Sequence, residues 1–297
     1  MKNPILLLLS FLFFLLSAAS ANNCAEAKVA IESIQVAENI YMIVGQGGNI
    51  GLAIDDDYTL MIDDQFAPLS DAIHAEIKKL TDKPITYLLN THFHFDHTDG
   101  NENFADSVGI IVAHENVRTK LKQGAVIKAF GKTMEPYPES ALPSLTCAQK
   151  FSIHQSDETI ELLHFASAHT DGDTAVHFKD SNVIHAGDVF FSGMYPFIDT
   201  ANGGSVQGFI AAQEALLQLA DKQTKIIPGH GPLSDKADLK RDLQVLKEIV
   251  GVVKSELAAG KNHDQISTHQ TIQKYDAAYG QGFLNAKQFI EILASDI

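Results

Sequence analysis

The chain has 297 residues, 45% of them hydrophobic and 20% charged, with 37 acids against 22 bases and a net charge of −15. That apolar content is too high for a disordered chain. Two cysteines cannot build a disulfide-stapled scaffold, and the acidic excess argues against nucleic acid as a partner, because phosphates are bound by Lys and Arg.

Residues 1–21 carry the layout of a secretory signal peptide. Met1-Lys2 gives a positive start, Ile5 to Leu16 is almost wholly apolar, and Ala19-Ser20-Ala21 places small residues where a signal peptidase cuts. The apolar run is too short for a spanning helix, which needs about 20 residues. The mature protein is therefore expected to be periplasmic or secreted, with no stable membrane anchor. Export leaves Cys24 and Cys147 two options, a bridge that pins the N-terminal arm or two unrelated thiols; sequence does not supply the Cα separation that decides between them.

Three short β-prone runs follow, at 40–44, 50–54 and 58–62, separated by Gly45-Gln46-Gly47-Gly48 and Asp55-Asp56-Asp57 as turns. Residues 69–81 read as an amphipathic helix with Ile73, Ile77 and Leu80 on one face. A buried strand at 85–90 delivers the chain into Thr91-His92-Phe93-His94-Phe95-Asp96-His97, and a strand at 108–113 precedes a helix through Val117 and Leu121. Strands are expected at 158–163, 173–178 and 182–186, then a helix at 205–220 capped by Ser205. A strand at 224–227 ends in Pro228-Gly229-His230-Gly231, and Leu239, Leu243, Leu246, Val250, Val253 and Leu257 form one stripe of a helix at 236–258. Strands alternating with helices point to one α/β domain over 22–258, with 259–297 a helical extension packed on it.

His92, His94, Asp96 and His97 fall within six residues directly after a strand. A sheet end holds such a loop rigidly. In extended backbone His92 and His94 point the same way and can share a metal, while Asp96 and His97 follow where the chain turns and can face a second one. Imidazole and carboxylate together suit zinc.

The run His92-X-His94-X-Asp96-His97 resembles the signature of the metallo-β-lactamase fold superfamily. The resemblance covers roughly 39–235 and implies further ligands at later strand ends, which His169, Asp188 and His230 match. It implies a four-layer αβ/βα sandwich with two Zn2+ ions: His92, His94 and His169 on one, Asp96, His97 and His230 on the other, and Asp188 bridging. It also implies a metal-bridging hydroxide as nucleophile, with Asp96 beside it as the catalytic carboxylate that orients or accepts its proton.

The other eight histidines read as packed or exposed structural residues, with His185, three residues before Asp188, the best exception. Asp99, Asp171, Asp173 and Thr91 flank ligands and either orient imidazoles or cap loops. Tyr195 is expected to pack its loop rather than act on substrate.

The expected activity is hydrolysis of an ester, lactone, thioester or amide of a small molecule, and the alternative is a β-lactamase. Relative to the family, β-lactamase subclasses typically place Cys or Ser at the bridging position and some place Lys three residues later, whereas Asp188 and Phe191 stand here. That departure resembles the wider hydrolases. Pocket walls are expected from loops 45–49 and 190–204.

Overall fold

A computed structural model describes residues 29–155 and 157–297. The expected signal segment and Cys24, and with it the Cys24–Cys147 question, lie outside the described residues. No helix among the described residues is long and apolar enough to cross a membrane.

The chain opens with β1 (Glu32–Ala37), β2 (Ile40–Val44), β3 (Ile50–Ile54), β4 (Thr59–Ile62), α1 (Ser70–Leu80) and β5 (Ile85–Asn90). Then come the short α2 (Phe95–Thr98) and α3 (Asn101–Phe104), β6 (Val108–His114), α4 (Glu115–Gln123), and the hairpin of β7 (Ala125–Ile127) and β8 (Lys132–Met134). The second half holds β9 (Leu145–Cys147), β10 (Phe151–His154), β11 (Thr159–Phe165), β12 (Asp173–Phe178), β13 (Val183–His185), α5 (Val206–Leu219), β14 (Lys225–Ile227), β15 (Ser234–Asp235) and α6 (Lys236–Ala258). The extension folds as α7 (His263–Ser267), α8 (Gln270–Tyr279) and α9 (Ala286–Ala294).

Two mixed sheets form the centre, one of seven strands in the order β1-β2-β3-β4-β5-β6-β9 and one of six in the order β10-β11-β12-β13-β14-β15. Both are buried on two faces, so their strands read as continuous apolar runs and the period of two decides which layer each residue enters. In β4 and β6, Leu60, Ile62 and Val112 point between the sheets, while Met61 and Ile111 point out toward Ile73 and Ile77 of α1. In β13 and β14, Val183 and Ile227 face the first sheet, while Ile184 and Ile226 pack on Ala212 and Leu216 of α5 and Leu239 of α6. The result is a four-layer αβ/βα sandwich.

Caps fix the ends of the two long helices. The Ser205 hydroxyl accepts from the Gly208 N–H at 3.0 Å. Asp235 and Asp238 form a reciprocal capping box at the start of α6, a feature whose loss costs about 1 kcal/mol. The extension packs Phe289, Ile290 and Leu293 into the same core as Leu243, Leu246 and Val250 of α6. Tyr195 is buried there, its ring stacked on Phe289 at 4.7 Å, which is the packing position expected of it.

Candidate metal centre

The site lies where β4, β5, β12, β13 and β14 end. Chain direction explains the convergence: β4, β5 and β6 run parallel, as do β13 and β14, so their C-terminal ends share an edge. Residues 91–97 leave β5, residues 186–191 leave β13, and residues 228–231 leave β14, while His169 sits in the turn just before β12.

All seven residues singled out from the sequence come together in two groups. His92, His94, His169 and Asp188 bring ligand atoms within 4.8 Å of one another, and so do Asp96, His97 and His230. Asp188 stands between them. Its Oδ2 faces His169 Nε2 at 3.4 Å and His92 Nε2 at 3.7 Å, while its Oδ1 faces His97 Nε2 at 3.0 Å and His230 Nε2 at 3.5 Å. Asp96 Oδ2 reaches His230 Nε2 at 3.2 Å.

The far nitrogen of each imidazole decides which atom is presented; the tautomers follow from the hydrogen-bond network. His92 Nδ1–H donates to Thr91 Oγ1 at 3.1 Å, His97 Nδ1–H to Asp63 Oδ2 at 2.7 Å, and His169 Nδ1–H to the Phe197 carbonyl at 2.7 Å. His94 is turned the other way: its Nε2–H donates to Asp199 Oδ2 at 3.0 Å, so Nδ1 faces the centre.

This arrangement places lone pairs against one another. His94 Nδ1 and His169 Nε2 are 2.8 Å apart, yet each ring already spends its proton on another partner. His97 Nε2 and His230 Nε2 are 3.2 Å apart, two like nitrogens crowded beside the same Asp188 oxygen. His92 Nε2 is fully buried without a hydrogen-bond partner among the described residues, a costly condition for a polar atom. Cations at the two foci would satisfy all of these atoms, so the donor set fits two metal ions, and five imidazoles with two carboxylates and no thiolate suit zinc.

Electrostatics separates the groups. Burial holds the His169 imidazole down at about 4, because Asp188 does not offset the lost solvation and the neighbouring His94 adds to it. Burial likewise holds His92 well below the usual range. Burial also lowers His230, but Asp188 and Asp96 outweigh it and raise this group to about 9. His97 is raised well above its usual value in the same way, by Asp188, Asp63 and Asp96 against burial. Burial raises Asp96, yet His97 and His230 outweigh it and bring the carboxyl down to about 2.

Several supporting residues escaped the sequence reading. Asp63, Asp64 and Gln65 follow β4 and are fully buried. Asp63 accepts from Thr91 N–H and Thr91 Oγ1–H, both at 2.7 Å, as well as from His97. It adopts φ +62°, a conformation costing about 1–3 kcal/mol outside glycine, and these three bonds offset that cost. Asp64 accepts from Gly100 N–H at 2.9 Å, and Gln65 Nε2–H donates to the Gly48 carbonyl at 2.7 Å. Asp199, in a loop without regular structure, holds both His94 and Asn202. The signal for Asp63 was three polar residues directly after an apolar strand; Asp199 had none.

Of the flanking residues considered from sequence, Thr91 orients a ligand. Asp99 instead accepts from Ala67 N–H at 3.2 Å. Asp173 accepts from the Thr170 N–H at 2.8 Å, which shapes the turn behind His169, and burial pushes its carboxyl up to about 8. Asp171 accepts through its carbonyl from Asn116 Nδ2–H at 2.8 Å and touches no ligand. His185 donates from Nε2 to the Asn49 carbonyl at 3.0 Å. Asn49 in turn donates to the carbonyls of Pro228 and Gly231, both at 2.9 Å, so His185 steadies the turn that carries His230. Two glycines are required by close approach: a Cβ on Gly48 would overlap the His97 ring, and one on Gly229 would overlap Asp188 Oδ1.

A cavity of about 390 Å³ opens onto His94, Asp96, Asp188 and His230, within the ordinary range for a small-molecule site. The expected loops contribute Gln46, Phe191 and Phe197, but the β7–β8 hairpin and the C-terminal extension also reach it, through Phe130 and Phe283.

The sequence profile of the metallo-beta-lactamase superfamily matches residues 43–230. The acyl-coenzyme A thioesterase MBLAC2 of Bos taurus is 25% identical over 154 residues, covering 47% of this chain and 54% of the relative. The chain thus spans about half the length of that thioesterase. The probable metallo-hydrolase YqgX of Bacillus subtilis is 26% identical over 193 residues, covering 60% of this chain and 85% of the relative. Among solved structures, the metallo-beta-lactamase from Pontibacter korlensis superposes with a TM-score of 0.60 at 15% identity, over 73% of this chain and 99% of its own. DIM-1 metallo-beta-lactamase gives 0.59 at 18%, over 74% and 99%. These last two likenesses concern the fold alone.

Proposed function

The chain belongs to the metallo-beta-lactamase superfamily, and from that premise we propose that it is an exported dinuclear zinc hydrolase that cleaves an ester, thioester, lactone or amide of a small molecule. The observation that carries this reading is the Asp188 carboxylate, with one oxygen turned to each ligand group. His92, His94 and His169 would hold one zinc, Asp96, His97 and His230 the other, and Asp188 both. When bound, a zinc pair lowers the pKa of water toward about 7 and polarises a carbonyl.

The chain's own residues supply the rest. Asp63, Asp199, Thr91 and the Phe197 carbonyl fix the imidazole tautomers, so the site is preorganised before any ion arrives. The Asp96 side chain is 19% exposed while the other six ligands are nearly inaccessible. It faces the cavity as a carboxylate and is placed to accept a proton from water there. The thioesterase names of the MBLAC2 relatives favour a thioester or ester bond. The β-lactamase alternative draws support from fold likeness alone.

The test is a panel of p-nitrophenyl esters, an acyl thioester, a lactone and nitrocefin on zinc-loaded protein. Ester or thioester turnover that chelation abolishes and zinc restores is expected, with nitrocefin turned over weakly. Efficient nitrocefin hydrolysis without ester or thioester turnover would replace this reading with the β-lactamase one. Export is checked separately by N-terminal sequencing of the mature protein, which should begin at Asn22.

A further inference from the structure

The cavity above the metal centre has an unusual composition for a site in so acidic a chain. Six phenylalanines line it: Phe66, Phe95, Phe130, Phe191, Phe197 and Phe283. Besides the ligands, its lining among the described residues includes one polar side chain, Gln46, and no Lys or Arg. The nearby Lys132 lies over the Phe95 ring, with Nζ 4.9 Å from the centroid.

The inner and outer phenylalanines differ. Phe191 stacks on the His230 ring at 5.3 Å and Phe197 on the His94 ring at 5.6 Å, and both are buried. They form a fixed apolar wall against the ligands themselves. Phe130 and Phe283 stand at the mouth, 45% and 46% exposed. Phe130 sits in the turn of the β7–β8 hairpin and meets Phe197 edge-on at 4.9 Å. Phe283 sits between α8 and α9 and meets His230 edge-on at 4.7 Å. Two separate segments thus each leave a large aromatic ring half in water beside one cavity. Exposed aromatic surface of this kind is unfavourable unless something apolar covers it. Continuity with the metal centre identifies the occupant as part of the substrate.

We propose that this cavity selects a bulky apolar acyl or aryl group next to the scissile bond, and that Phe130 and Phe283 are specificity-determining residues which close over that group. The chemistry of the scissile bond rests on the hydrolase reading; the apolar selection rests on the cavity alone. A substrate carrying a carboxylate beside its scissile bond finds no Lys or Arg among the described lining residues to pair with, which disfavours β-lactams.

Two measurements test this. Zinc-loaded protein is assayed with p-nitrophenyl acetate, butyrate and octanoate, and kcat/KM should rise by at least about tenfold from acetate to octanoate, since apolar pockets discriminate by methylene count. In Phe130→Ala and Phe283→Ala that octanoate-to-acetate ratio should fall at least about threefold. Independently of turnover, prodan, an uncharged naphthalene dye, is titrated by fluorescence; the chain has no tryptophan to interfere. Wild type should bind it, and each variant should bind it at least about threefold more weakly. Equal ratios for short and long esters, or prodan binding unchanged in both variants, would overturn the inference. Prodan binding that weakens in the variants without turnover of any ester, thioester, lactone or nitrocefin would support the apolar cavity while sinking the hydrolase reading.

Discussion

The two halves of the metal centre are built from similar residues and behave as opposites. The group of His92, His94 and His169 is held by hydrogen bonds to Thr91, Asp199 and the Phe197 carbonyl, and burial lowers the proton affinity of its His92 and His169 rings. The imidazoles of His97 and His230 have the carboxylates of Asp63, Asp96 and Asp188 around them and hold protons more tightly than free histidine does. One half is thus a ready socket for a cation. The other must release protons before it becomes one.

Removing the bridge should break both halves at once. Asp188→Ala is expected to leave at most one zinc per chain and to lower kcat/KM by about 10³-fold, the scale of several kcal/mol of charge stabilisation. Zinc analysis with ester kinetics checks it, and wild-type behaviour would refute the bridging role.

The supporting carboxylates should separate the halves. Asp63→Asn should weaken zinc at the second group by about 10–100-fold and leave the first largely intact, while Asp199→Asn should do the reverse. Competition with a chromophoric chelator reads the two affinities. Loss of both sites in either variant would show that the halves are one unit.

Acidity should sharpen the comparison further. His230 has a metal-free pKa of about 9, so below that value zinc at the second group must displace its proton. Affinity there should rise by at least about tenfold per pH unit between pH 6 and 9, one decade for each proton displaced from His230 and His97. His169 lies at about 4 and is already unprotonated in that window, so it should add no such slope at the first group. Titrations at pH 6, 7 and 8 distinguish the slopes. The smallest effect is expected from Tyr195→Phe, because the ring stacks on Phe289 outside the ligand groups; kcat/KM should change by less than about twofold.

The legible parts were those with a local signal. His92 to His97 announce themselves by density, and the α6 stripe by its spacing. The β12 and α6 boundaries match the sequence reading at 173–178 and 236–258. His169, Asp188 and His230 were found through the family pattern, since isolated residues on separate loops carry no periodicity. What escaped depends on distant contacts. β1, β7 and β8 are short or partly exposed, and their pairing fixes them rather than any strong pattern. Asp63 and Asp199 are ordinary acids in sequence and become supports only when a strand end and a loop bring them to histidines 34 and 105 positions away. Phe283 belongs to an extension whose weak helical pattern gave no hint that it reaches the cavity.

The proposed function requires two metal ions that share Asp188. Native mass spectrometry of the mature, zinc-reconstituted protein at pH 8 tests this most directly. Two zinc ions per chain in wild type, with at most one in Asp188→Ala, is the predicted result; one or none in wild type would contradict it.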